Sequence, residues 1–186
     1  MAYIDIIRGE AATGELAEVY REITAQRGRL SEVLMIQSLH PQSIRDHLNL
    51  YMTVMFSKSP LRRAQREMIA VIVSLANNCP YCIAHHSAAL HHFWKDEARM
   101  VRFQKDFRTA DLSAKEVALC AYADQLTRQP GTDPAARAAA VKAAGWEDRA
   151  LLDTTLIVGY FNFVNRMVLG LGVSLEGDSG GGYRYD

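Results

Sequence analysis

Cysteine is scarce in this chain, an excess of either charge is absent, and so is any long apolar run; each lack removes a class of function. Three cysteines are too few, and of the wrong parity, for a secreted disulfide scaffold. Lys plus Arg and Asp plus Glu stand equal at 21 each, scattered without a basic block, so nothing draws the chain to a phosphate backbone and no nucleic-acid partner is expected. No run of 18 apolar residues occurs, and the most apolar stretch, 151–173, is interrupted by Asp153, Asn162, Asn165 and Arg166, so no membrane span is expected either. The opening Met1-Ala2-Tyr3-Ile4-Asp5-Ile6-Ile7-Arg8 has neither the positive leader nor the apolar centre of a signal peptide, which makes a reducing, cytoplasmic compartment the expectation. No internal repeat, strand pattern or flavin or nicotinamide fingerprint is found, and no cofactor is expected.

What is present is helical periodicity. A chain of 186 residues, about half of them apolar, suits one domain with one sizeable core, spanning 1–186. Residues 1–12 read as an arm and the glycine-rich 177–186 as a tail that is mobile unless a partner subunit holds it. Leu16, Val19, Tyr20 and Ile23 predict a first helix over 15–27, stopped by Gly28. Ile44, His47, Leu48, Tyr51 and Met55 form the stripe of a second, after Pro41. Ser59-Pro60 reads as a cap and first turn for a third, which carries Leu61, Ala64, Met68, Ile72 and Ala76 up to Asn77-Asn78. A fourth helix opens at Cys79-Pro80 and runs to Trp94, and a short one is expected near 98–107. Ser113-Ala114-Lys115-Glu116 is a capping box that opens a helix over 114–127. Pro134 starts an alanine-rich helix ending near Gly145. The last helix, about 147–170, carries apolar residues around more than one face and suits a central or interface position. The fold class is an all-α helical array.

The chemistry concentrates at Cys79-Pro80-Tyr81-Cys82. Two cysteines three apart at a helix N-terminus share one side of a turn and are close enough for a disulfide, while the unpaired backbone N–H groups there favour a thiolate. His86 lies four residues after Cys82 and can take a thiol proton and return it to a leaving alkoxide. Glu67 sits on a line with Ala70, Val71 and Ser74, a small and mostly apolar surface on which a carboxylate is either paired or holds a proton. A structural zinc site built from Cys79, Cys82, His85 and His86 is the sharpest rival, although neighbouring imidazoles point about 100 degrees apart on a helix and do not readily join one tetrahedron. Two buried, inert thiols in a structural helical oligomer are the blander alternative.

The order Glu67, eleven residues, Cys79-Pro80-Tyr81-Cys82, then Ile83-Ala84-His85-His86 resembles the AhpD-like (alkylhydroperoxidase D-like) family of the carboxymuconolactone decarboxylase superfamily. The segment Gly159-Tyr160-Phe161-Asn162-Phe163-Val164-Asn165-Arg166 is similar to its peroxidase-related branch. The resemblance implies an all-helical subunit in a homo-oligomer, a dimer or a trimer of dimers. It also implies reduction of a hydroperoxide substrate by the cysteine pair, with electrons from a dithiol protein that is lipoylated or thioredoxin-like. By the same resemblance Cys82 is the attacking thiol, Cys79 the resolving thiol, and Glu67 with His86 the proton relay; no metal is implied. Well-described members have histidine just before the second cysteine, where this chain has Tyr81. That departure keeps a second reading open, a disulfide reductase or thiol redox sensor that uses the same pair without efficient peroxide turnover. His91 and His92 read as surface groups, Cys120 as a buried small residue, and Tyr20, Tyr51, Tyr122 and Tyr160 as core anchors. Asn162, Asn165 and Arg166, polar on an apolar helix, need partners wherever they are buried.

Overall fold

In the computed structural model, which describes residues 2–175, nine α-helices and two short 3-10 turns account for the regular structure, with no strand among the described residues. The helices are α1 (Gly14–Arg27), α2 (Glu32–Met35), α3 (Pro41–Phe56), α4 (Arg63–Ala76), α5 (Pro80–Trp94), α6 (Glu97–Lys105), α7 (Ala114–Arg128), α8 (Pro134–Ala143) and α9 (Asp148–Leu171). Periodicity located all of these except α2, which at four residues is too short to display a period. The third helix starts later than the Ser59-Pro60 signal indicated. Ser59 spends its hydroxyl on the Leu61 N–H (3.1 Å) and on the Asp153 carboxylate, which makes a turn, and Arg62 takes the N-cap position instead. Gly28 ends α1 in the left-handed region at φ 82°, and Ser113 with Glu116 forms the expected capping box of α7.

Helix α4 is the centre of the array. Every residue from Gln65 to Ser74 is buried, and it packs against α5, α7 and α9. Its stretch from Met68 to Val73 is apolar on all sides and needs such enclosure. The main core runs through Met68, Ile69, Ile72, Phe103, Leu119, Ile157 and Phe161, and a second cluster of Leu16, Val19, Tyr20, Ile23, Ile44 and Leu48 joins α1 to α3. The N-terminal arm is tied down: Tyr3 N–H donates to the Leu171 carbonyl (2.9 Å), Ile7 N–H to Ser38 Oγ (2.9 Å), and Tyr20 Oη to the Ile7 carbonyl (2.8 Å). The tail expected at 177–186 lies outside the described residues. No helix of the described residues is long and apolar enough to cross a membrane.

Candidate active site

The link between α4 and α5 is three residues long, and its hydrogen bonding fixes the cysteine turn. Asn78 takes the left-handed conformation at φ 52°, its N–H donates to the Leu75 carbonyl (3.1 Å), and the Cys79 N–H donates to the Ser74 carbonyl (3.0 Å). This is a Schellman closure of α4. Cys79 therefore finishes one helix and is the N-cap of the next, with Pro80 following in the first turn of α5, where a missing N–H does no harm. Cys79 and Cys82 are both reduced and buried.

The two thiols are unequal. Cys79 is held below its ordinary value, chiefly by the hydrogen bond it accepts from the Cys82 thiol, against its burial and with help from the Cys82 backbone N–H. Cys82 is pushed far up because it donates that bond, is buried and faces the charge on Cys79; the Asn165 amide works the other way. Of the pair Cys79 is the readier to ionise, whereas Cys82, not Cys79, lines a cavity that reaches the turn. That cavity, of about 110 Å³, is walled by the α1–α2 segment with Arg27 and Arg29, by α3 with His47 and Tyr51, by α5 with Tyr81, Cys82, His85 and His86, and by α9 with Tyr160 and Phe161.

Glu67 and His86, named together by the resemblance, meet between α4 and α5. His86 Nδ1 lies 2.7 Å from Glu67 Oε2, and the carboxylate is fully buried. Burial pushes the Glu67 carboxyl up, but the contacts with His86 and the Arg63 guanidinium outweigh it and hold the group below the usual carboxylate range. It is ionised and paired. Arg63 donates through Nε at 3.0 Å and through Nη2 to Oε1, while its guanidinium stacks 3.8 Å from the Phe56 ring centroid. With Nδ1 on Glu67, the His86 ring has Nε2 left for other work.

Several residues of this site were not singled out for it from the sequence. Arg63 stands one helical turn before Glu67, and that i,i+4 spacing was the available signal. Asn77 donates to Asn162 Oδ1 (3.1 Å) and Asn165 Oδ1 (3.0 Å), and Asn165 reaches Ser74 Oγ (3.4 Å). The polar groups of α9 thus brace the cysteine turn from behind, and Arg166 bonds back to Asn162 (2.6 Å). Tyr81 is buried, with its ring 4.3 Å from that of His85, and its hydroxyl accepts from the Val33 N–H (3.4 Å). Tyr51 and Tyr160, expected as core anchors, both face the cavity. Cys120 is fully buried away from the turn, with its thiol pushed up by burial. Among the described residues no three His, Cys, Asp or Glu side chains are grouped to hold a metal ion.

Residues 44–125 match the carboxymuconolactone decarboxylase family. The whole chain is similar in fold to a peroxidase-related protein from Silicibacter sp. TM1040 (TM-score 0.86, 24% identity, covering 98% of this chain and 96% of that one). It is also similar to an alkylhydroperoxidase AhpD core protein from Ralstonia eutropha JMP134 (TM-score 0.84, 21% identity, 96% and 94% covered). A third likeness is to the debrominase Bmp8 (TM-score 0.79, 18% identity, 95% and 94% covered), which has also been solved as a cysteine-to-alanine variant in complex with 2,3,4-tribromopyrrole. No curated protein matches the chain. Over residues 44–125 the chain matches the carboxymuconolactone decarboxylase family, and its helical array is the fold of the solved peroxidase-related proteins.

Proposed function

We propose that the chain is a thiol-dependent peroxidase that reduces hydroperoxides through a Cys79/Cys82 dithiol-disulfide cycle. The observation that carries this reading is the division of the pair: Cys82 lines the cavity beside His86, and Cys79 sits behind it in contact with its thiol. His86, oriented by the Glu67 carboxylate, takes the Cys82 proton on Nε2. The Cys82 thiolate attacks the distal peroxide oxygen, an S–O bond forms as the O–O bond breaks, and the alkoxide leaves with the proton that came from sulfur. Cys79, the readier of the two to ionise, then attacks the sulfenic sulfur as the thiolate; the S–S bond forms as hydroxide leaves and takes a proton from solvent, and an external dithiol protein reopens the disulfide. The subunit is read as self-associating through the outward face of α9.

One equivalent of cumene hydroperoxide should remove two hydrogens from the reduced protein, mapped by mass to Cys79 and Cys82, and Cys82→Ser should lose essentially all turnover. Unaltered turnover in that variant sinks the assignment. A disulfide that forms but supports no multiple turnover with lipoylated or thioredoxin-like carriers points to a redox sensor or exchange partner instead.

The wall of Tyr51, Tyr81, Tyr160 and Phe161 around Cys82, together with the likeness to a debrominase, favours a second reading, the reductive removal of bromide from a planar aromatic. There the dithiol supplies two electrons, the ring gains hydrogen, and bromide and a proton leave. Bromide release from 2,3,4-tribromopyrrole in the presence of a dithiol, with no reaction toward hydroperoxide, would select it.

A further inference from the structure

The cavity over Cys82 carries a second polar pair, on the wall supplied by α3 and α9. His47 Nε2 lies 2.7 Å from Tyr160 Oη, and both residues are more than nine-tenths buried. The proton on this pair can be placed. Gln37 Nε2 donates to the Val33 carbonyl (3.0 Å) and lies 2.7 Å from His47 Nδ1. The carbonyl contact fixes that end of the amide as the nitrogen, because an oxygen there would face another oxygen. Nδ1 is then an acceptor. Burial pushes the imidazole down to about 4, so His47 is neutral and carries its single hydrogen on Nε2, from which it donates to the Tyr160 oxygen. The phenol keeps its own O–H, and no acceptor for it is found among the described residues. Burial holds Tyr160 far above its ordinary value, and the nearby Cys82 adds to the effect. A buried, protonated hydroxyl with a free hydrogen, on the wall of the Cys82 cavity, is a donor without an acceptor.

Resting on the peroxidase reading above, we infer that the Tyr160 hydroxyl, fixed by His47, donates a hydrogen bond to the leaving oxygen of a hydroperoxide bound over Cys82. Charge develops on that oxygen as the O–O bond breaks, and a preorganised donor stabilises it. Tyr160 is not the proton source. Behind it His47 only accepts from Gln37, so a proton given up by the phenol has no route back. The proton that completes the alcohol is the one His86 removed from Cys82; sulfur is oxidised by two electrons and the peroxide reduced by two. His47 is a positioning residue, acting through the phenol.

The test is single-turnover oxidation of reduced protein by tert-butyl hydroperoxide, whose leaving group is a basic alkoxide, and by peroxyacetic acid, whose leaving group is a stable carboxylate. Tyr160→Phe should slow the first by about a hundredfold and the second by less than about tenfold. His47→Leu, which leaves the phenol present but unheld, should give the same leaving-group dependence at about tenfold on the alkyl hydroperoxide. Alkylation of Cys82 by iodoacetamide, which needs no oxygen donor, should be unchanged in both variants. Equal losses with both oxidants, or a fall in alkylation, would mean that Tyr160 packs the site or supports the thiolate, and overturns the inference. Wild-type rates in both variants overturn it while leaving the peroxidase reading intact, whereas a wild type that neither peroxide oxidises removes that reading and the inference with it.

Discussion

At the scale of single residues, Glu67 and His47 solve the same problem in opposite ways. Each is a titratable group enclosed in the helical array, and burial disfavours the charged form of both. Glu67 keeps its charge because His86 and Arg63 supply opposite charge and hydrogen bonds. His47 is faced by Tyr160, Gln37 and Phe163, none of which offers a compensating charge, and it gives its charge up. The unfolded chain takes up a proton on His47 as pH falls below 6.5, while the folded chain resists until about 4. Stability is therefore highest above that window and should fall by about 3 kcal/mol on acidification through it. Urea unfolding at half-unit pH steps checks this, and His47→Gln should flatten the curve between those values. The Glu67 contribution has the other character. Its carboxyl is held below the unfolded value, so its stabilisation is complete above the ordinary carboxylate range and is lost only at more acid pH, which keeps the two effects apart on the pH axis.

At the scale of elements, the α4–α5 link decides whether the cysteine pair exists as a pair. Asn78 is non-glycine in the left-handed region, and its amide and that of Cys79 close the last turn of α4. Asparagine tolerates that conformation better than most residues, but glycine is better still. Asn78→Gly is expected to be neutral or slightly stabilising, and Asn78→Val to cost about 1–2 kcal/mol and to lower the rate at which Cys79 and Cys82 close their disulfide. Chemical denaturation and disulfide mapping measure the two consequences separately. A valine variant with an unchanged closure rate would show that the cysteine geometry does not depend on the Schellman turn. Asn77 adds the connection to α9 through Asn162 and Asn165, so the reactive turn is anchored to the longest helix as well as to its own two.

At the scale of the whole molecule, α9 has two apolar faces. One, with Ile157, Val158, Phe161 and Val164, is buried against the core. The other exposes Leu152, Leu156, Gly159, Phe163 and Gly170 at alternating steps of four, three, four and seven residues, the spacing of a helix seam that packs on another surface. The subunit proposed to self-associate through this face should sediment as a dimer or larger at micromolar concentration. Leu156→Glu should shift it toward monomer without loss of far-UV helical signal. A wild type that stays monomeric would leave this face unexplained.

Much of the molecule was legible in one dimension. Helical spacing, caps and prolines located eight of the nine helices among the described residues, because those signals act within a turn or two of the chain. The pairing of Glu67 with His86 was expected only through the family resemblance; spacing left open whether Glu67 is paired or holds a proton, and the packing of α4 on α5 decided it. What only the tertiary structure decided are contacts between residues far apart in sequence. His47 and Tyr160 are 113 residues apart and look like two ordinary core positions until α3 and α9 bring them to the cavity of Cys82. The division of the cysteines, with the readier ionisation at Cys79 and access at Cys82, likewise depends on which sulfur the packed helices leave facing the cavity. Spacing along the chain fixes local geometry, and burial, which sets charge and access, is a property of the assembled core.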